Sequence, residues 1–305
     1  MVFLVPAELE PALFQPLPEG VELAYLAKDG TLSDNAKDAE FVLAPYGGAR
    51  HMFPLLPQMP GIKVVQTFTA GVDWIVDKLP PHVTLCDAAG VHDIPVSEWI
   101  VGGILGAVKR LPEFRDFQRE QRWAYQWIDD LEGSTVLFLG YGSIARAAER
   151  RLAPFEVDFI RVARTARGDI HAFSELLELL PRADVVINLL PHTPETHRLF
   201  SAAHVAAMKL GAIYVNAGRG RTVDQDALVA AVRAQQIRLV TDVTDPEPLP
   251  EGHPLWSLPG VFLTPHIAGS TPKLYQRGVK LALEQLGRHM RGEPLINVVS
   301  REQGY

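Results

Sequence analysis

The sequence predicts an α/β protein with two domains, each built on a parallel sheet that helices cover on both faces. The chain has 305 residues, 47% of them hydrophobic, so it is long enough to bury two cores. Short apolar runs bounded by glycine, proline or aspartate alternate with helical patterns, which is typical of doubly wound parallel sheets. These runs form two series, separated by a helical segment at 97–130.

The predicted strands can be placed along the chain in order. The first series has predicted strands at 2–6, 41–45, 63–68 and 83–88. The second series has predicted strands at 135–140, 158–163, 184–190, 212–217, 238–243 and 261–266. A last helix is predicted at about 271–291, and the strand-like segment PLINVV follows it. Domain boundaries are predicted near 93–97 and 269–273.

The segment between the two series is rich in aromatic and arginine side chains. Its predicted helix includes Trp123, Tyr125 and Trp127, which are more aromatic residues than one surface helix usually exposes. An amphipathic surface helix would be the simplest interpretation, but a subunit interface is favoured.

Composition excludes several classes of protein. A net charge of -7 and a pI near 5.8 argue against nucleic acid as the main partner and favour small molecules. The single cysteine, Cys86, cannot form an internal disulfide, which favours a reducing compartment. The N-terminal apolar run is too short and too acidic for a signal peptide, and no run reaches the roughly 18 residues of a membrane span. We therefore expect a cytoplasmic protein with no membrane partner.

The strongest local motif follows the predicted strand at 135–140. It reads Gly140-x-Gly142-x-x-Ala145 and leads into a predicted helix. The first glycine permits a tight turn, the second lets the backbone approach a pyrophosphate, and the alanine lets helix pack on strand. The N–H groups of the helix start, at Ser143 and Ile144, would hold the phosphates. The motif predicts a dinucleotide site, although ordinary strand-to-helix turns can share it.

The end of the next strand bears on the choice of cofactor. An acidic residue about 20 residues past the glycines usually holds the ribose hydroxyls of NAD. Here that position falls near Ala163 and is followed by Arg164, Thr165 and Arg167, with no carboxylate. Two guanidinium groups would suit a 2′-phosphate, so NADP is favoured over NAD. Two alternatives stay open: the protein could use NAD as well as NADP, or the arginines could belong to a solvated loop that binds no cofactor.

Three polar residues follow three consecutive predicted strands of the second series. Arg219 lies in NAGRG, Glu247 in TDVTDPEP and His266 at the end of FLTPH. Ligands of doubly wound sheets bind beyond the carboxyl ends of the strands, so these side chains can converge. Gly218 and Gly220 would let the backbone approach a ligand closely. A guanidinium matches a carboxylate, and a histidine near a carboxylate suits proton transfer at neutral pH.

The motifs together resemble the D-isomer-specific 2-hydroxyacid dehydrogenase family over nearly the whole chain. The matching segments, in family order, are TFTAGVDWI, HDIPVSEW, GYGSIA, LLPHTPET, NAGRG, DVTDPEP and TPHIAG. The resemblance implies a Rossmann cofactor domain at 96–271, inserted in a flavodoxin-like substrate domain made of 1–95 and 272–305. It also implies a cytosolic homodimer joined mainly through the cofactor domains.

The resemblance also implies roles for individual residues. It makes Arg219 the clamp on the substrate carboxylate and carbonyl, His266 the acid/base and Glu247 its partner. Further cofactor contacts are expected at Leu190, Pro191, His192, Thr196, Ala217, Gly218, Asp242, Ala268 and Gly269. The spacing of His192 and His197 is not that of a zinc helix and prolines interrupt it, so no metal is predicted.

Two loops of the first domain resemble the family's substrate-binding loops. The backbone of Ala70, Gly71 and Val72 would hold the substrate carboxylate, and Tyr46 would lie in a facing loop, PYGG at 45–48. The alternative for both is an ordinary glycine turn.

The resemblance narrows the activity without fixing the substrate. Glu247 stands where the formate dehydrogenase branch has glutamine, which disfavours that activity. Because the sequence ends at Tyr305, we expect no appended regulatory domain of the kind that some phosphoglycerate dehydrogenases carry. We expect hydride transfer between NAD(P) and a 2-keto or D-2-hydroxy acid, with a glyoxylate/hydroxypyruvate reductase favoured. The alternatives are a D-3-phosphoglycerate dehydrogenase and a non-catalytic dinucleotide sensor.

Overall fold

The protein divides into two compact units in a computed structural model that describes residues 1–47 and 51–302. The first unit consists of Met1–His92 and Thr271–Tyr305, and the second of Asp93–Ser270. Each unit contains one sheet whose paired strands are all parallel. The predicted fold class is therefore confirmed.

The sheet of the first unit has five strands. They are β1 (Val2–Pro6), β2 (Glu22–Leu26), β3 (Ala39–Leu43), β4 (Val64–Gln66) and β5 (Thr84–Cys86). The spatial order is β2-β1-β3-β4-β5, which is the flavodoxin order with its reversal between β1 and β3. β2 was not predicted from the sequence, because it is an edge strand with only two fully buried residues.

One face of this sheet is covered by the long helix α7 (Leu274–Met290). Its residues Val279, Ala282 and Leu286 pack in one buried cluster with aromatic side chains from the strands. A Cβ on Gly278 would lie 2.2 Å from the ring of Phe68, so the helix approaches the sheet as closely as a glycine allows. After α7 the chain returns to the sheet, where Val298 forms an antiparallel bridge with Cys86.

The sheet of the second unit has seven strands. They are β6 (Thr135–Leu139), β7 (Asp158–Ala163), β8 (Ile170–Ala172), β9 (Val185–Asn188), β10 (Ala212–Asn216), β11 (Ile237–Thr241) and β12 (Val261–Leu263). The spatial order is β12-β11-β10-β9-β6-β7-β8. This is the Rossmann order, with the reversal between β6 and β9. β8 was also not predicted, because it has only three residues and none is fully buried.

Helices cover both faces of this second sheet. They are α1 (Asp93–Val108), α2 (Leu111–Arg119), α3 (Ser143–Leu152), α4 (Leu176–Leu179), α5 (Ala202–Ala207) and α6 (Gln225–Arg233). α1 and α3 pack with Val136 and Phe138 on one face, while Leu137 and Leu139 belong to the cluster on the other. The alternation of β6 side chains between two cores explains why its sequence is apolar throughout.

The helix predicted to extend through residue 130 is wrong beyond α2. The chain adopts a left-handed conformation at Gln121, with φ of 54°, and the N–H of Arg122 donates to the carbonyl of Phe117 at 2.8 Å. The helix ends here without the glycine that usually marks a helix C-terminus, so its end was not predictable from the local sequence. The following segment has no regular structure and exposes three aromatic residues. Trp123, Tyr125 and Trp127 are 99%, 80% and 85% exposed.

Among the described residues, no helix combines the length and the apolar character that a membrane span requires.

Candidate active site

The predicted cofactor and catalytic residues of the second unit all follow the carboxyl ends of strands. β6 is followed by Gly140, Gly142, Ser143 and Ile144, β7 by Arg164, Thr165 and Arg167, β9 by Leu190, Pro191, His192 and Thr196, β10 by Ala217, Gly218 and Arg219, β11 by Asp242 and Glu247, and β12 by His266, Ala268 and Gly269. Because the strands are parallel, these ends share one edge of the sheet, where ligands of such folds bind.

The glycine-rich turn between β6 and α3 fits a phosphate group. Gly140 has a φ of 91°, a left-handed conformation that other residues rarely adopt. Gly142 is the N-cap of α3 and supplies no side chain to the helix start. A Cβ at Gly142 would meet no protein atom within 4 Å, so the space beside the turn is open. The N–H groups of Ser143 and Ile144 would hold a pyrophosphate there.

The loop after β7 presents the exposed residues Arg164, Thr165 and Arg167. It closes through reciprocal backbone hydrogen bonds of 3.0 Å between Arg167 and Ile170. Arg164 Nη2 donates to Glu195 Oε1 at 2.7 Å. β7 ends at Ala163, where the sequence predicted the end of this strand.

A buried network connects the loop after β9 with the turn that contains Arg219. Asn188 Nδ2 donates to Tyr214 Oη at 2.9 Å and to Thr222 Oγ1 at 2.8 Å, while Asn188 Oδ1 accepts from the N–H of Leu190. Thr222 Oγ1 donates in turn to the carbonyl of Arg219 at 2.7 Å. Sequence reasoning missed Asn188 and Thr222, although an asparagine ending the apolar run DVVIN was a usable signal.

The turn at Arg219 is also held by close backbone packing. A Cβ on Gly220 would lie 2.1 Å from the carbonyl carbon of Thr244, and one on Gly218 would lie 2.7 Å from the carbonyl oxygen of Leu190. Gly218 and Gly220, which the sequence analysis assigned to close approach of a ligand, therefore also let the loops after β9 and β11 pack against this turn.

Asp242 organises the turn that carries His266. Its carboxylate is buried and accepts from Thr264 Oγ1 at 2.5 Å and from the N–H groups of Ile267 and Ala268, both at 2.8 Å. Its carbonyl accepts from the N–H of His266 at 2.7 Å. These bonds hold His266 at a φ of 54°. The cofactor contact expected of Asp242 stays a prediction, beside this observed structural role.

Glu247 and His266 are in direct contact. Glu247 Oε1 and His266 Nδ1 are 2.6 Å apart, and the two side chains are 42% and 45% exposed. This hydrogen bond lowers the pKa of Glu247 below its usual value, against the opposing effect of burial, and the charge of Arg219 lowers it further. The carboxylate thus stays ionised at neutral pH. Because the pKa of Glu247 is lower in the folded protein than in the unfolded chain, its ionisation stabilises the fold at pH values above the ordinary carboxyl pKa. This contribution to the free energy of unfolding is lost as the pH falls through the pKa of Glu247 in the folded state.

Arg219 is half-buried, and its Nη1 donates to the carbonyl of Gly218 at 3.0 Å. Its strand, β10, pairs with β11, the strand that precedes Glu247, and the charge of Arg219 lowers the pKa of Glu247. The arrangement can supply two positive or proton-donating groups beside one carboxylate, which suits polarisation of a carbonyl that takes up a proton.

The loop at residues 69–72 of the first unit has the features of an anion site. Thr69 Oγ1 donates to the carbonyl of Gly71 at 2.8 Å, and Trp74 Nε1 donates to the same carbonyl at 3.1 Å. Within the described residues, the N–H groups of Ala70, Gly71 and Val72 donate to no protein acceptor. The Val72 side chain is buried in the core, so this residue offers its backbone alone.

Tyr46 lies just past β3 and is half-buried, with its ring 6.4 Å from that of Tyr275. It lines a cavity of about 300 Å³ together with the charged residues Glu8, Lys28 and His51. The predicted PYGG loop extends to Gly48, which lies outside the described residues. A substrate contact of Tyr46 stays a prediction.

His192 and His197 lie close together. Nε2 of His192 and Nδ1 of His197 are 3.3 Å apart. In the described part of the chain, no group of three or more histidine, cysteine, aspartate or glutamate side chains is placed to hold a metal ion.

The second unit combines a Rossmann sheet, a glycine turn with no side-chain cap at the helix start, and arginine, glutamate and histidine residues beyond its strands. This combination is typical of a nicotinamide-dependent oxidoreductase. The family profile described as "D-isomer specific 2-hydroxyacid dehydrogenase, NAD binding domain" matches residues 101–268. The chain belongs to this family of D-2-hydroxyacid dehydrogenases, as its motifs predicted.

Individual relatives agree with this assignment. Glyoxylate reductase of Thermofilum pendens is 32% identical over 80% of this chain and 76% of its own length. Glyoxylate/hydroxypyruvate reductase B of Citrobacter koseri is 32% identical over 81% of this chain and 80% of its own length. A D-isomer specific 2-hydroxyacid dehydrogenase from Xanthobacter autotrophicus Py2, crystallised with NADPH and MES, is 28% identical. It superposes with a TM-score of 0.86, covering 100% of this chain and 99% of its own.

Proposed function

We propose that the protein is a glyoxylate/hydroxypyruvate reductase that uses NADPH in preference to NADH. The observation that carries this proposal is the 2.6 Å contact between His266 and Glu247 in a half-exposed position, with Arg219 following the neighbouring strand β10. A histidine held by a carboxylate beside a guanidinium has the chemistry that reduction of a 2-keto acid requires.

Each of these residues has a defined task in the proposed reaction. A nicotinamide cofactor held at the strand ends of the second unit would supply the hydride that the carbonyl carbon of the keto acid takes up. His266, whose Nδ1 is held by Glu247, donates a proton from Nε2 to the carbonyl oxygen. Arg219 binds the substrate carboxylate and the carbonyl oxygen through its planar fork of donors. The developing negative charge on that oxygen is thereby countered by two groups.

The loop at 69–72 is proposed to bind the substrate carboxylate through backbone N–H groups. Support comes from the three successive N–H groups of Ala70, Gly71 and Val72, which have no acceptor among the described residues. Buried or half-buried N–H groups without partners are uncommon unless a ligand or water satisfies them. We assign substrate binding to the unit that holds this loop and dinucleotide binding to the unit at 93–270.

The preference for NADPH is proposed from the loop after β7. It carries two guanidinium groups and a threonine where NAD-dependent relatives of this fold hold a carboxylate. The structurally similar Xanthobacter dehydrogenase was crystallised with NADPH. A glyoxylate or hydroxypyruvate substrate is proposed because reductases of those acids are 32% identical to this chain.

The proposal predicts a clear ranking of substrates and cofactors. The purified protein is expected to reduce glyoxylate and hydroxypyruvate, with a higher kcat/KM for NADPH than for NADH, in initial rates followed at the nicotinamide absorbance. Hydroxypyruvate should give D-glycerate, which chiral chromatography can verify. Failure to reduce any acid of a broad 2-keto-acid panel would contradict the proposed activity. Faster reduction of another keto acid would change the proposed substrate but not the proposed type of reaction.

We also infer a cytoplasmic homodimer joined through the cofactor-binding units. Trp123, Tyr125 and Trp127 expose more aromatic surface than a single subunit normally leaves in water, and the one cysteine suits a reducing compartment. Sedimentation velocity should give twice the 33.6 kDa mass of the chain. Replacing Trp123 and Trp127 by serine is expected to shift the protein to monomer, and a wild-type monomer would contradict the inference.

A further inference from the structure

The ion pair between Arg164 and Glu195 spans the end of β6. Arg164 follows β7 and Glu195 belongs to the loop after β9, and these two strands flank β6 on opposite sides. Neighbouring strands are about 4.8 Å apart, so the pair bridges a gap of roughly 10 Å at the sheet edge. β6 is the strand that leads into the glycine turn at Gly140. The bridge therefore lies at the same end of the sheet as the predicted dinucleotide site.

Arg164 differs from Arg161, the arginine within β7, in where its partner comes from. Arg161 is neutralised by Glu149 at 2.7 Å and by Asp169 at 2.6 Å, both from the adjoining chain segments around β7. Arg164 pairs instead with a residue from a separate loop. Arg161 is thus a structural cation, whereas Arg164 is 52% exposed at the strand end that the proposed 2′-phosphate would approach.

The loop that presents Glu195 is held by its own hydrogen bonds. The N–H of Thr193 donates to Thr196 Oγ1 at 2.8 Å, and Thr196 Oγ1 donates to the carbonyl of Pro191 at 2.6 Å. A turn closed on both sides of Glu195 limits the positions that its carboxylate can reach. The loop therefore holds the backbone of Glu195 in place, while its side chain is 62% exposed and pairs with Arg164.

We propose that Glu195 is a specificity-determining residue, an internal anion that occupies Arg164 until the 2′-phosphate of NADPH replaces it. This rests on the proposed preference for NADPH. The guanidinium edge that faces Glu195 cannot donate the same hydrogen bond to a phosphate, and a phosphate of charge near −2 repels a neighbouring carboxylate. NADH has no 2′-phosphate and leaves the pair intact. Glu195 thus weakens the binding of NADPH but not that of NADH, and reduces the difference in affinity between the two cofactors.

The test compares the affinities of 2′,5′-ADP and 5′-AMP, measured by calorimetry on the full chain. Glu195→Gln is expected to tighten 2′,5′-ADP by about two- to five-fold, the range that exposed ion pairs contribute, and to leave 5′-AMP unchanged. The KM for NADPH should fall by a similar factor while the KM for NADH stays the same. Glu178→Gln, which removes an exposed carboxylate of α4, is the matched control and should change neither affinity.

A second variant separates the possible outcomes. Arg164→Gln should weaken 2′,5′-ADP, and adding Glu195→Gln to it should bring no further gain. Unchanged or weaker 2′,5′-ADP binding in Glu195→Gln alone would overturn the proposal, since Glu195 would then be a bystander or a support for Arg164. Equal affinity of the wild type for the two nucleotides would contradict the NADPH preference itself, and the inference with it.

Discussion

Replacing His266 by asparagine is expected to lower kcat for keto-acid reduction by about 10²–10⁴-fold, the usual contribution of a positioned general acid. The variant keeps the hydrogen-bonding character of the turn but cannot donate a proton at neutral pH. Asparagine is chosen because His266 has a φ of 54°, a conformation that asparagine tolerates and alanine does not favour. Steady-state rates with saturating NADPH and glyoxylate give the measurement.

The control for this change is His82→Asn, at an exposed histidine of the first unit. It should leave kcat and the thermal unfolding temperature unchanged. The His266 variant should also unfold at a temperature close to the wild type, since the ring is 45% exposed. A kcat within a few-fold of the wild type in a folded His266→Asn protein would remove His266 from the proposed chemistry.

Replacing Arg219 by glutamine is expected to lower kcat/KM for the keto acid by about 10²–10⁴-fold. Two charge-assisted hydrogen bonds to a carboxylate, each contributing about 1.5–3 kcal/mol, correspond to a loss of that size. Affinity for NADPH, measured by fluorescence titration, should change little, because the loss concerns the substrate. Arg219→Lys should recover part of the activity, since it restores the charge without the planar fork.

Arg221→Gln provides the matched comparison within the same turn. Arg221 is 63% exposed, and its Nε is 3.5 Å from Asp245 Oδ1, so its removal should cost little activity. Equal losses in the two variants would show that the turn tolerates no change of charge. Such a result would contradict a specific carboxylate contact by Arg219.

The fold was predictable because buried strands have an unmistakable sequence. β6, β9 and β10 are buried almost throughout and read as apolar runs, so their existence and order along the chain followed directly. The edge strands β2 and β8 leave half or more of their residues partly exposed and lack that signal. The end of α2 escaped prediction because Gln121 adopts the conformation that glycine usually marks.

The candidate site was predictable where residues follow strand ends and not where side chains meet across loops. Strand position and motif resemblance together indicated Arg219, Glu247 and His266. The bond of Asn188 to Thr222 and the pairing of Arg164 with Glu195 depend on distances between segments far apart in the chain. Local patterns carry no information on such distances, so these partners became visible only in the structure.

The first unit is formed from two separate segments of the chain, which has a consequence for biosynthesis. Its strands are made first, but α7, which completes their core, emerges from the ribosome only after all of residues 93–270. Until Val279, Ala282 and Leu286 arrive, the apolar cluster that contains Phe3 and Phe68 lacks the side chains that α7 contributes to it. Synthesis of the first unit thus starts first and is completed last. The nascent chain has an incomplete apolar core in this unit while the intervening unit folds.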